Sequence, residues 1–336
     1  MYRDRIKIIS KIEAERDSKV LIYITSDRQG LATQVHEDVF DYFVNHLDII
    51  GVTKKISLYL YTRGGSTLAA WTLINLIRQY CDELEIIVPS KCHSAGTIMC
   101  LGANNIVMTK QATLGPIDPS VNNPLSPQVQ NGQTISNVPV SVEAISGFIE
   151  LAKDELKIET DDNMTQILLA LSEKVHPLVL GEVYRARSQI QMLARKLIVN
   201  QLTNEEKVDK VIAFLCGGSG SHDYTINRRE AANELELAVD KPSSELYSLI
   251  KQLYDDIQQE LLLTVSYDAN ATLGLDQTKA YDLRRGLVES IGGGSNYFVS
   301  EGTLTRVMIA TAQGQQPGVQ DNRIFEGWKH EEARIK

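Results

Sequence analysis

The sequence predicts an α/β protein on a parallel sheet, with an inserted helical arm and a C-terminal α+β extension. Three observations lead there. From residue 19, β-branched runs alternate with stretches of helical spacing, the pattern of parallel strands joined by crossover helices. Residues 142–215 then read as consecutive helices, and β-rich segments return only near the C-terminal end. Residues 1–240 are expected to form the main domain and 241–336 the extension.

Lys19–Ser26 (KVLIYITS) reads as the first strand, bounded by polar residues. Gln34–Leu47 carries Val35, Val39, Phe40, Phe43 and Leu47 at helical spacing. Ile56–Thr62 is a second strand stopped by Gly64–Gly65, and Ser66 opens a helix containing Leu68, Trp71, Ile74 and Ile77. Leu84–Pro89 is a third strand, followed by small residues from Ser94 to Ala103, and Asn105–Thr109 fits a fourth. Residues 116–140 hold Pro116, Pro119, Pro124, Pro127 and Pro139 among Asn, Gln and Ser, which predicts a long loop. Helices are expected over about Val142–Lys157, Asn163–Lys174, Pro177–Leu202 and Asn204–Leu215, with another over Asn227–Leu237. In the extension, Pro242–Leu261 is amphipathic, Leu262–Tyr267 reads as a strand, and Gly292–Gly294 leads into a β-rich tail. The polar end from Gly314 to Lys336 is expected to fray.

Composition excludes several classes. The 336 residues are 43% hydrophobic and 23% charged, as in an ordinary soluble domain. No apolar run is long enough for a membrane span, and MYRDRIKIISKIEAERD, where charges interrupt aliphatics, lacks a signal-peptide core. A net charge of −9 argues against a nucleic-acid surface. Cys81, Cys92, Cys100 and Cys216 show no CxxC or zinc spacing and read as buried thiols in a reducing, cytoplasmic setting. No metal or cofactor is implied. No phosphate-binding Walker loop or GxGxxG fingerprint occurs, so any ATPase would be a separate partner.

Two turns carry the chemistry: Arg63–Gly64–Gly65–Ser66 and Lys91–Cys92–His93–Ser94–Ala95–Gly96, each between a strand and a helix. In a parallel sheet both lie at the carboxyl ends of strands, where ligands bind. Ser94 on a sharp turn suits a nucleophile, with Gly64, Gly65 and Ala95 as backbone donors to an oxyanion. Read singly, each turn is better explained as a plain glycine turn or a helix N-cap, and it is the two together, after these strands, that point to a site.

The segments YTRGGSTLAAWTL, SKCHSAGTIMCLGANNIVM, TLGPIDPS, VHPLVLGEVYRARSQIQMLARKL and SHDYTINRREA resemble those of the serine dehydrogenase proteinases. These are Clp/crotonase-fold serine peptidases similar to the Clp and signal peptide peptidase A families. The resemblance covers roughly residues 15–240 and implies a spiral of ββα units. It implies a Ser94 acyl-enzyme acting on a peptide or protein, a homo-oligomer, and a possible adaptor or ATPase. Arg63 stands where the Clp pattern has proline before the two glycines.

The base is less defined. The position matching the Clp histidine is near Asp118, 24 residues after Ser94. The Clp acid matches Asp223, in register with Glu230 and Ala231. The Ser, Asp, His order attributed to the resembling family is met by Ser94, Asp118 and His176, the preferred set, and equally by Ser94, Asp118 and His222. A Ser–Lys dyad through Lys153 is the third choice. Two rival readings need other features: a crotonase-like acyl-CoA enzyme would place carboxylates at the substrate, and an inactive scaffold would lack the base.

Overall fold

The charged N-terminal segment is a helix, α1 (Tyr2–Arg16), in the computed structural model, which describes residues 2–117, 119–131, 134–218, 220–221, 223–311 and 314–332. Its inward face carries Arg5 with Ile9 and Ile12, all fully buried. The cation interrupts the apolar stripe, which is why helical periodicity does not announce this element.

There follow β1 (Lys19–Thr25), α2 (Phe40–Ile50), β2 (Thr53–Tyr61), α3 (Thr67–Ile77), β3 (Cys81–Val88), β4 (Lys91–Cys92), α4 (Ala95–Leu101), β5 (Asn105–Met108) and β6 (Thr113–Leu114). Val20–Thr25, Ile56–Tyr61 and Leu84–Val88 are buried without interruption, as strands covered on both faces must be. The β1–β2, β2–β3 and β3–β5 pairs are parallel, so the predicted crossovers are present.

Residues 115–225 form a unit of their own. The proline-rich segment expected to be a loop contains short strands: β7 (Ser120–Val121), β8 (Gln128–Asn131), β9 (Thr134–Asn137) and β10 (Val140–Ser141). β8 and β9 pair as a hairpin, and β7 pairs with β10. Helices α5 (Val142–Glu150, prolonged by a π turn to Glu155), α6 (Asp161–Lys174), α7 (Pro177–Ile198) and α8 (Glu205–Ala213) complete the expected arm. Val142, Val175, Val179 and Val183 are part of its core.

The remaining elements are β11 (Ile226–Asn227), α9 (Arg228–Asn233), β12 (Val239–Asp240), α10 (Ser244–Leu261), α11 (Ala269–Leu273), β13 (Thr278–Ser290), β14 (Gly294–Thr311) and β15 (Gly314–Glu331). They belong with residues 1–114: β11 pairs with β6 in a three-stranded sheet β11-β6-β4, and β12 to β15 join an eight-stranded sheet of order β12-β5-β3-β2-β1-β13-β14-β15. The boundary expected at residue 240 therefore falls inside one unit, because β13 pairs antiparallel with β1. Two local expectations are corrected. Leu262–Tyr267 is not a strand: Leu262, at φ 51°, caps α10 and turns the chain. Gly314–Glu331 is not frayed, since the ladder to β14 organises a segment whose side chains are mostly polar and exposed. Among the described residues no helix is long and apolar enough to cross a membrane.

Helix α1 is tied to the sheet by charge. Arg5 donates to Glu289 (2.9 and 2.5 Å), Asp256 (2.5 Å) and Glu260 (2.6 Å), with Arg5 and Glu289 both fully buried. Burial pushes the Glu289 carboxyl up, and the Arg5 guanidinium pulls against that shift. Arg16, near the other end of α1, pairs with the buried Glu85 of β3, which also accepts from Ser57 (2.9 Å) and Lys55 (3.1 Å). Removing one member of such a cluster leaves a buried charge unpaired. Arg5→Ala should therefore lower unfolding free energy by about 3–5 kcal/mol, read from the urea midpoint.

On the opposite face, His46 of α2 is buried between Ser290 (Nδ1, 2.7 Å) and Asn296 (Nε2, 2.9 Å). Burial holds its imidazole neutral and lowers its pKa to about 4. The unfolded chain, with an ordinary value near ~6.5, binds a proton there that the folded chain refuses. Stability from this group is thus complete above pH ~6.5 and falls by about 1.4 kcal/mol per unit as pH drops toward 4. His46→Gln should flatten that slope in denaturation series from pH 7 to 4.

Candidate active site

Strand β2 delivers Thr62, Arg63, Gly64 and Gly65 to the start of α3. Gly64 and Gly65 have φ of 118° and 144°, a region L side chains seldom occupy. The Gly64 carbonyl accepts from Val35 N–H (2.8 Å), and Ser66 N–H donates to the Val35 carbonyl (2.8 Å). A Cβ on Gly65 would lie 2.3 Å from that carbonyl oxygen, so glycine is required by backbone contact as well as conformation. Side chains at Gly65 would thus harm the turn itself, beyond any effect on an oxyanion.

The second turn meets the first. Thr62 N–H donates to the Lys91 carbonyl (3.1 Å), and His93 N–H to the Thr62 carbonyl (3.0 Å). Gly96 lets α4 close on this junction, since a Cβ there would stand 2.6 Å from Thr62 Cγ2 and 2.8 Å from Cys92 Sγ. A Cβ on Gly64 would fall 2.7 Å from Ser94 Cβ and 3.1 Å from its Oγ. The structure thus brings Gly64 and Ser94 together, with Ala95 next in the chain.

Ser94 occupies the N-cap position of α4 but does not act as a cap. Its φ and ψ are 52° and −115°, and its side chain makes no capping bond. Ser66, Ser141 and Ser243 hold the same position in α3, α5 and α10. Each has negative φ and accepts a backbone N–H, from Ala69, Ala144 and Leu246 respectively. Positive φ at a non-glycine residue costs roughly 1–3 kcal/mol, and a lost cap about 1. The N-cap reading therefore fails for Ser94. Its half-buried hydroxyl is held on a strained strand-to-helix turn, a placement that suits a nucleophile.

Among the described residues, Ser94 Oγ, Gly65 N–H and Ala95 N–H have no hydrogen-bond partner within the chain. Gly64 N–H, by contrast, donates to Thr62 Oγ1 at 3.0 Å. Of the three expected oxyanion donors, Gly65 and Ala95 are thus open and Gly64 is engaged.

The candidate bases occur as follows. His93 turns its Nε2 to the Thr113 hydroxyl (2.8 Å). Asp118 and His222 lie outside the described residues. His176, Asp223 and Lys153 belong to the 115–225 unit. There, His176 is exposed and caps α7, its Nδ1 accepting Leu178 N–H at 3.2 Å. Asp223 lies in an exposed turn, its N–H bonded to Ser221 Oγ (3.2 Å). Lys153 is exposed in the π turn after α5. All four cysteines are buried and none is in a disulfide, as expected, and the sulfurs of Cys92 and Cys100 lie 3.6 Å apart. The residue overlooked by sequence reasoning is Thr62. Its only signal was its place as the last residue of the strand before the glycine pair.

Comparison with known proteins follows this geometry. The uncharacterized protein MJ0137 of Methanocaldococcus jannaschii is 28% identical over 207 residues, 61% of each chain. The present chain thus spans about three fifths of that relative's length. The uncharacterized protein MJ1495 of the same organism is 24% identical over 259 residues, 74% of this chain and 77% of the other. Among solved structures, a mutant of the 1510-N membrane-bound stomatin-specific protease, in complex with a substrate peptide, is 17% identical with a TM-score of 0.36. It covers 68% of this chain and 78% of its own. ClpP1 from Listeria monocytogenes is 12% identical with a TM-score of 0.36, over 70% of this chain and 99% of its own. The profile of the ClpP-like SDH-type serine proteinases matches residues 1–269. With 269 of its 336 residues inside that profile, the chain belongs to the family of ClpP-like SDH-type serine proteinases.

Proposed function

We propose that the protein is a serine peptidase in which Ser94 attacks a peptide carbonyl to form an acyl-enzyme. The single observation that carries this reading is the backbone of Ser94, strained at φ 52° and spending its hydroxyl on no cap. Attack converts the carbonyl oxygen to an oxyanion, for which the open N–H groups of Gly65 and Ala95 are the proposed donors. The base takes the Ser94 proton, returns it to the leaving amine, and then activates water to release the acyl group. Gly64 keeps the space beside Ser94 Oγ free of a side chain.

A fluorophosphonate probe tests the nucleophile. Wild type should be labelled at Ser94 and should cleave labelled casein, whereas Ser94→Ala should do neither. Ser94→Gly should also be dead, yet about 1 kcal/mol more stable than wild type in urea, because the strain is relieved. Labelling that persists in both variants removes Ser94 from the reaction.

For the base, the proposed set remains Ser94, Asp118 and His176, with His222 as alternative. His176 spends its Nδ1 lone pair on Leu178, so it could take a proton only by leaving that cap. His176→Asn keeps a capping side chain and removes the imidazole. A dead His176→Asn beside an active His222→Ala assigns the base to His176, and the converse assigns it to His222. If neither substitution slows labelling, neither histidine is the base and the assignment passes to Lys153.

The proposed assembly is a homo-oligomer acting on peptides or proteins, with any adaptor or ATPase supplied separately. Exposed Leu168, Leu169 and Leu178 on α6 and α7 support it.

A further inference from the structure

Thr62 is fully buried at the junction of the two turns, and its hydroxyl is saturated. It accepts from Thr25 Oγ1 (2.7 Å) and from Gly64 N–H (3.0 Å), and directs its own hydrogen to the Gly64 carbonyl (3.3 Å). Thr25 comes from β1, so the hydroxyl is fixed by the neighbouring strand rather than by the turn it serves.

The Gly64 carbonyl and the Gly65 N–H belong to one peptide plane. In a trans peptide these two groups point in opposite directions. Holding the carbonyl on Val35 N–H and the Thr62 hydroxyl therefore fixes the direction of the Gly65 N–H. The lock matters because the plane lies between two glycines, whose permissive dihedrals make rotation of the whole unit inexpensive. No other side chain among the described residues bonds both the N–H and the carbonyl of Gly64.

We infer that Thr62 is a positioning residue whose hydroxyl locks the Gly64–Gly65 peptide so that the Gly65 N–H serves the oxyanion formed at Ser94. The inference rests on the Ser94 acyl-transfer reading. Thr62 touches no reacting atom and acts only through the orientation of that donor.

Thr62→Val keeps the shape of the side chain, including the methyl against Gly96, and removes the hydroxyl. Thr62→Ser keeps the hydroxyl and removes the methyl. On a peptidyl-coumarin substrate turned over by wild type, Thr62→Val should lower kcat by about 10- to 100-fold with KM within about 2-fold. Fluorophosphonate labelling of Ser94 should slow in parallel, and Thr62→Ser should restore most of kcat. Wild-type kcat in Thr62→Val overturns the inference. So does a Thr62→Ser variant as slow as Thr62→Val, which would mark the methyl packing as the important contact. If Thr62→Val does not fold, Thr25→Val removes the donor that orients the hydroxyl while leaving the turn intact. It should lower kcat by at least about 3-fold at unchanged KM, and no change overturns the inference. Failure of the parent reading looks different: wild type itself would go unlabelled at Ser94, and the role of Thr62 would fall with it.

Discussion

The carboxyl end of β2 approaches the turn before α4 so closely that the position facing Ser94 can carry no side chain. A methyl group on Gly64 would overlap Ser94 Cβ. That contact requires several features at once: glycine at 64, glycine at 96, and a threonine at 62 whose backbone bonds Lys91 and His93 of the second turn while its hydroxyl bonds Gly64 of the first. It also requires the parallel sheet. Only when β2 and β3 run side by side in the same direction do the segments leaving them emerge at one edge and meet.

The strain at Ser94 is held by what surrounds it. A turn that stores roughly 1–3 kcal/mol persists only where neighbouring structure determines its path. Here that structure is a set of strands buried on both faces and a pair of buried carboxylates. Glu85 on β3 and Glu289 on β13 are both held by arginines of α1, so one helix clamps the parallel strands and the C-terminal meander together. The meander β13–β15 lies outside the segment shared with the proteinase family, yet it pairs with β1 rather than folding apart. Through Thr25, β1 in turn holds the hydroxyl of Thr62.

Family membership establishes the fold and the peptidase lineage of the chain, while chemistry belongs to the arrangement of side chains. In that arrangement the proposed nucleophile and its proposed donors come from backbone geometry and are drawn from one sheet edge. The expected bases are drawn from a different part of the chain, the helical arm and its flanking loops. His176 accepts the N–H of Leu178, two residues ahead, on Nδ1, as His36 accepts that of Asp38. Proline at 177 places His176 at this cap by leaving the first helical position without an N–H.

The sequence by itself determined the parallel strands, the helical arm and the two turns. Those features depend on local signals: continuous β-branched runs, helical periodicity, and glycine where a strand stops. Helix α1 was not legible because its buried face carries Arg5, and β15 because an exposed edge strand needs no apolar alternation. The role of Thr62 and the failure of Ser94 to cap were equally hidden. A cap, a nucleophile and a hydrogen-bond hub can all be a hydroxyl residue beside a helix start. Only the tertiary structure shows that Ser94 does not cap and that Thr62 bonds Thr25 and Gly64, because the deciding quantities are a backbone dihedral and distances between residues from three different strands and turns, none of which neighbouring residues in the chain can set.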